Sequence, residues 1–173
     1  MRIRTAVAVP AASAVAALLL TAPQSEAAAG RDRPARCAPE VLAYRARAVP
    51  GHPTVLRAGV TNRGSRACLV DRVPTVTFGD LDGAALPVPE GPTGGYRLAP
   101  GGTAHADVRT IADPADPEAR RVDTVTVAAS AAHWGRSFTA ARLGAGRQVL
   151  VWEPVTTWWQ RSAAAADRAI GLS

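Results

Sequence analysis

The chain has 173 residues and a net charge of +6, with 47% hydrophobic and 20% charged residues, which excludes a disordered or fibrous protein and fits one domain plus an appendage. All 20 basic residues are arginine, and they are unevenly spread: eight arginines face two acids over residues 30–70, five face nine over 71–123, and five face two after that. That distribution excludes a simple polybasic tail and argues against a nucleic-acid partner, because no arginine cluster coincides with a known nucleic-acid-binding motif.

In chain order, residues 1–29 have the three parts of a secretory signal peptide. Arg2 and Arg4 are a positive start, residues 6–20 are apolar, and Ala27-Ala28-Ala29 places small residues at Ala27 and Ala29, as a cleavage site requires. Ser25-Glu26-Ala27 is a second option. The apolar run falls short of the ~20 residues a membrane span needs and contains Pro10, so no stable span is expected after cleavage. Arg2 and Arg4 are not adjacent, and no cysteine stands where lipid attachment would need one. A secreted or cell-envelope protein is expected. There, Cys37 and Cys68 are expected to form a disulfide, closing a loop worth about 3–4 kcal/mol on the chain-entropy model.

Residues 30–36 read as a charged linker and 37–160 as the folded domain. Leu42, Tyr44, Ala46 and Ala48 alternate with Ala43, Arg45 and Arg47, which is the period of a half-buried strand. Val49-Pro50-Gly51-His52-Pro53 is a turn. Leu56, Ala58 and Val60 alternate with Arg57, Gly59 and Thr61 in a second strand. Further strands are expected at 68–70, around Val76 and Phe78, at 104–110, at 122–128 and at 148–155. Residues 87–95 read as a Pro/Gly-rich loop and 113–118 as an acidic loop. Residues 162–170 are alanine-rich, so 161–173 should be a short helix or a flexible tail. Many short strands separated by turn signals indicate an all-β antiparallel sandwich. Leu42, Tyr44, Leu56, Val60, Val76, Phe78, Val108, Val125 and Val127 are its expected core.

Certain residues, in order, carry a resemblance. Cys37 opens the domain; Val60-Thr61-Asn62-Arg63-Gly64, Ala67-Cys68-Leu69, Val73-Pro74, Asp80-Leu81-Asp82-Gly83 and Leu98-Ala99-Pro100-Gly101-Gly102-Thr103-Ala104 follow. From Cys37 to Val127 this order resembles the domain-of-unknown-function family 4232, common in exported and lipid-anchored actinobacterial proteins. Arg72-Val73 stands where that family has Gly-Tyr, the second cysteine pair often present there is absent, and the stretch beyond Ala128 has no counterpart. The resemblance implies an immunoglobulin-like β-sandwich at the cell envelope and no particular activity.

The residues offer no catalytic constellation. No Gly-x-Ser-x-Gly elbow is present, and His52, His105 and His133 are far apart with no second ligand nearby. Asp80 and Asp82 read as a turn rather than a calcium loop, and residues 113–118 as a solvated loop rather than a cation site. No metal or cofactor is expected. Two features remain. Trp152, Trp158 and Trp159 lie close together, with Trp134 upstream; they either fill a core short of aromatics or, at Trp158 and Trp159, stack on a glycan. Arg45, Arg47 and Arg57 share the outward face of the first two strands. A hairpin centred near Gly51 or His52 sets Arg57 opposite Arg47, with Asp32 and Glu40 as the only local acids. The three guanidinium groups are then either solvated and splayed or an anion site for an envelope polymer.

The expected function is therefore that of an exported, non-catalytic module that binds or scaffolds an anionic envelope polymer or a glycan. An unrecognised secreted enzyme and a purely structural accessory domain are the alternatives. N-terminal sequencing of secreted material should find a start between Ala28 and Gly30; membrane-bound material starting at Met1 would refute the signal peptide.

Overall fold

The computed structural model describes residues 34–91 and 94–172. The expected signal peptide, with Ala27 and Ala29, lies outside them, as does most of the linker.

After a 3-10 turn at Pro39–Val41, β1 (Leu42–Val49) and β2 (His52–Asn62) form an antiparallel hairpin. Proline pre-sets the first position of the Pro50-Gly51 turn, and Gly51 takes the second with φ of 78°, a conformation that glycine adopts without penalty. β3 (Cys68–Asp71) and β4 (Thr75–Phe78) follow. β5 (Leu86–Val88) is a short strand inside the stretch expected to be loop, and β6 (Gly95–Leu98) pairs with β3. β7 is Thr103–Arg109. The single strand expected at 122–128 is two, β8 (Arg120–Val122) and β9 (Thr124–Ala128). β10 (Arg136–Thr139) and α1 (Ala140–Leu143) come next. The strand expected at 148–155 is likewise two, β11 (Val149–Val151) and β12 (Val155–Thr157), separated by a turn in which Glu153 has a positive φ. α2 (Ala163–Ile170) ends the fold, with Ser162 capping its first turn and Gly171 in the left-handed conformation that stops it.

The chain is an all-β, sandwich-like fold with a short C-terminal helix. One sheet has the order β1-β2-β7-β12-β5, antiparallel except that β5 runs parallel to β12; a second has the order β10-β9-β4; β8 pairs with β11 and β3 with β6. The inner faces of the two larger sheets share one core, in which Leu56, Val60, Val76, Phe78, Val108, Val125 and Val127 are buried. Leu42 only packs against its margin. The Tyr44 hydroxyl crosses the core to accept a hydrogen bond from the Ala129 amide, and burial pushes its pKa upward.

The motif residues hold the frame. Cys37 and Cys68 form the disulfide, with Cα atoms 4.9 Å apart, within the span such a bond needs. Backbone bonds from Cys37 to Leu69 and from Leu69 to Ala35, with an Arg36–Asp71 ion pair of 2.6 Å, dock the start of the described chain along β3. Asn62 is fully buried. Its side-chain amide donates to the Arg66 and Leu98 carbonyls and its oxygen accepts from the Gly64 amide, while its backbone bonds to Gly101 and Gly102. Both longer motifs, 60–64 and 98–104, therefore meet at one side chain. Asn62→Ala removes three side-chain bonds and leaves the buried Leu98 carbonyl without this donor, so urea denaturation should show a loss of about 2–3 kcal/mol. A loss below about 0.5 kcal/mol would mean that the network does not hold the turn.

Candidate functional site

Period two decides what the outer face of the five-stranded sheet carries. The register sets Arg47 opposite Arg57 and Arg57 opposite Asp107 in one row across β1, β2 and β7; the next row is Arg45, Gly59 and His105. The hairpin thus places Arg47 beside Arg57, as the turn implied.

Arg57, however, does not belong to a free patch. Its Nε and Nη2 donate to the two carboxylate oxygens of Asp107, at 2.8 and 3.0 Å, and Nη2 also pairs with Asp167 on α2. The Asp107 side chain is fully buried and that of Arg57 is 12% exposed. The hydrogen bond to Asp107 raises the Arg57 pKa, while burial pushes the Asp107 carboxyl up against the pull of Arg57. The compensating charge comes from acids 50 and 110 positions away rather than from Glu40; Asp32 lies outside the described residues. Removing Arg57 would leave Asp107 buried and unpaired, a change that costs about 3–5 kcal/mol in such pairs.

The same contact docks α2. Asp167 reaches Arg57, and Arg109 on β7 donates to the Ile170 carbonyl at the helix end, where the dipole favours a cation. Ala166 and Ile170 are buried on the helix's inner side. α2 thus covers the outer face over β7 and β12.

The face over β1 and β2 is open. A groove of about 780 Å³ runs over β1 and β2 and past the sheet edge to β10 and α1. Arg45, Arg47, Arg57, Arg63, Arg136 and Arg142 line it, and among the described residues no carboxylate does. Gly59 leaves its floor shallow, because no side chain rises between Arg45 and His105. Arg136 and Phe138 form part of the far wall, with the guanidinium 5.7 Å from the ring centre. Sequence reasoning missed Arg63, Arg136 and Arg142, since they come from a turn and from elements with no strong periodic signal. His105 sits among these cations: burial first, then the charges of Arg57 and Arg47, depress its pKa below the ordinary 6.5.

The glycan-stacking reading is corrected for Trp159. Trp159 is 3% exposed and part of the core. The ring of Trp158 is covered by the Arg72 guanidinium, 4.4 Å from its centre, and an added Cβ on Gly91 would lie 2.3 Å from its Cζ2. Trp159 therefore has no face for a sugar, and Arg72 occupies one face of the half-buried Trp158. The fully exposed indole is that of Trp134, at 98%.

The remaining polar residues have local work. Ser137 shares a hydroxyl bond with Thr126 across β9 and β10. His52 is on β2, His105 on β7 and His133 in the loop between β9 and β10. Asp113 and Asp116 accept from the amides of Ala115 and Glu118, which closes the acidic loop on itself. Among the described residues, no group of three or more His, Cys, Asp or Glu side chains could hold a metal ion.

The family model described as "Domain of unknown function (DUF4232)" matches residues 37–159, and the chain belongs to that family. The match runs beyond Val127, so β10, α1, β11 and β12 are part of the family's domain rather than a stretch without counterpart. No curated protein and no solved structure matches the chain.

The depressed pKa of His105 gives a test of the groove's field. The folded protein disfavours the imidazolium, so this group's contribution to stability is present above pH 6.5 and lost as pH falls through the lower folded value. An NMR titration should show a His105 midpoint below 6.5, and Arg47→Gln, which removes a nearby cation, should raise it. An unchanged midpoint would mean that Arg47 does not act on the ring.

Proposed function

We propose that this member of the DUF4232 family is an exported, non-catalytic binding module that holds an anionic ligand in the arginine-lined groove beside β1. The observation that carries the reading is the groove's lining: six arginines, one of them neutralised by Asp107 and Asp167, and no carboxylate among the described residues. Like charges gathered on one surface repel one another, and an anion relieves that repulsion. Guanidinium groups match carboxylate and phosphate oxygens in bidentate fashion. Arg45 and Arg47 stand on β1, which the backbone ladder holds to β2 along its length, and the ion pair of Arg57 ties β2 in turn to β7.

Export is supported by the signal-like residues 1–29 and by the disulfide, a bond that persists in oxidising compartments. A non-catalytic role is supported by the separation of the three histidines and by the local pairing of Ser137.

The test is binding of polyglutamate and of polyglycerol phosphate as salt is raised. The wild type is compared with a variant carrying Gln at Arg45, Arg47, Arg136 and Arg142, and with a control carrying Gln at Arg120, Arg121, Arg147 and Arg168. The variants lose equal charge. The groove variant should bind at least one of the polymers about tenfold more weakly, from four exposed pairs of about 0.3–0.5 kcal/mol each, and the control should stay within about twofold. Equal losses in both variants would remove the groove from the function.

A further inference from the structure

β1 is the end strand of its sheet. In an antiparallel ladder, alternate residues turn their N–H and C=O to the partner and the others turn them away. The Arg63 amide donates to the Val41 carbonyl, so the odd-numbered residues of β1 are the ones bonded to β2: Ala43 with Thr61, Arg45 with Gly59, Arg47 with Arg57. The bond from the Asn62 amide to the Gly102 carbonyl agrees, because it turns the even-numbered residues of β2 towards β7. Tyr44 and Ala46 must then direct their backbone N–H and C=O to the free edge. Among the described residues, no backbone hydrogen bond outside the β1–β2 ladder involves either of them.

That parity explains the make-up of the groove. Tyr44 and Ala46 line it although their side chains point towards the core, since what they present is backbone. Five consecutive residues, 43–47, therefore line one wall, offering the peptide groups of Tyr44 and Ala46, which alternate with outward-facing Arg45 and Arg47. Phe138, Arg136 and Arg142 form the opposite wall.

Resting on the groove reading above, we infer that its ligand is an extended polypeptide segment of a partner protein, which adds to β1 as a further strand and carries carboxylates at every second position. Backbone pairing to Tyr44 and Ala46 fixes the segment's register. Its residues on the outer face then lie beside Arg45 and Arg47, at the roughly 5 Å separation of facing Cβ atoms. Residues of the other parity turn towards Phe138, so acidic and apolar residues should alternate. A phosphate polymer could use the arginines but has no repeating amide and carbonyl to match the strand edge; a peptide uses both.

The experiment uses the full chain and four probes: an octapeptide of alternating Glu and Val, the same peptide N-methylated at one or the other alternate set of amides, a peptide of equal composition with its Glu residues in one block, and polyglycerol phosphate. The alternating peptide should bind at least tenfold more tightly than the block peptide. One N-methylated form should lose at least tenfold in affinity while the other holds, because only one set faces β1. Amide exchange of Tyr44 and Ala46 should slow on binding, while Arg45 and Arg47, already bonded to β2, should change little. If both N-methylated forms bind like the parent, strand addition is overturned and the electrostatic reading stands. Binding of polyglycerol phosphate alone would make a phosphate polymer the occupant and overturn the peptide. If no probe binds, both readings fall.

Discussion

The bond between Arg57 and Asp107 is the constraint on which the outer surface depends. A carboxylate placed in the middle of a sheet and shut away from water is costly unless an opposite charge meets it with good geometry, and the two-pronged contact from the neighbouring strand provides that. The pair need not make the protein more stable than two well-packed apolar residues would. What it does is forbid alternatives: a slip of β2 against β7 by one residue would send Asp107 to the opposite face from Arg57. Because the guanidinium has a third position for an acceptor, Asp167 can bind as well, and α2 is held at its middle as well as at its end.

This arrangement divides the outer sheet face by charge. Over β7 and β12 α2 packs on the sheet and takes up Arg57 through Asp167; on β1, Arg45 and Arg47 have no acid partner among the described residues. The same side chain lies at the boundary of both halves. Arg57 supplies the field that α2 answers and adds to the field that His105 feels. The groove is in this sense the remainder of the surface once the helix has taken its share, and its sign follows from which arginine the helix took.

Much of the fold is legible in the sequence because it is local. The β1–β2 hairpin follows from period two and a Pro-Gly turn, and with it the facing of Arg47 and Arg57. The α2 helix follows from a serine cap, an alanine run and a glycine stop. What is not legible is non-local. Nothing near Arg57 in sequence points to Asp107 or Asp167, so a paired arginine looks free. The strands at 122–128 and 148–155 look continuous because valine recurs through both, and a single Asp123 or the Glu153-Pro154 pair is a weak signal for a break; the breaks at Asp123 and at residues 152–154 arise where the chain passes from one sheet to another. β5 hides behind Pro87, which is tolerated because β5 is an edge strand. For Trp158 and Trp159, sequence proximity left open whether the rings are packed or exposed; Trp159 lies in the core, and Arg72 and Gly91 pack on Trp158, contacts that sequence proximity does not show.

The tight turn at Pro50-Gly51 has a kinetic consequence. It makes the β1–β2 pairing the most local long-strand contact in the molecule, one that can form on the microsecond scale of hairpins. β2 must then wait for β7, whose facing residues lie some 50 positions further along the chain, and closing so long a loop carries an entropic cost before any contact rewards it. In the interval, the hairpin would expose two edges, one on each strand. The two are not alike. The β2 edge carries Arg57 and becomes covered when β7 and Asp107 arrive, whereas the β1 edge keeps Arg45 and Arg47 beside it throughout. Those charges repel a second copy of the same hairpin approaching along that edge. The strand left open in the finished protein is thus also guarded against self-pairing while the fold is being assembled.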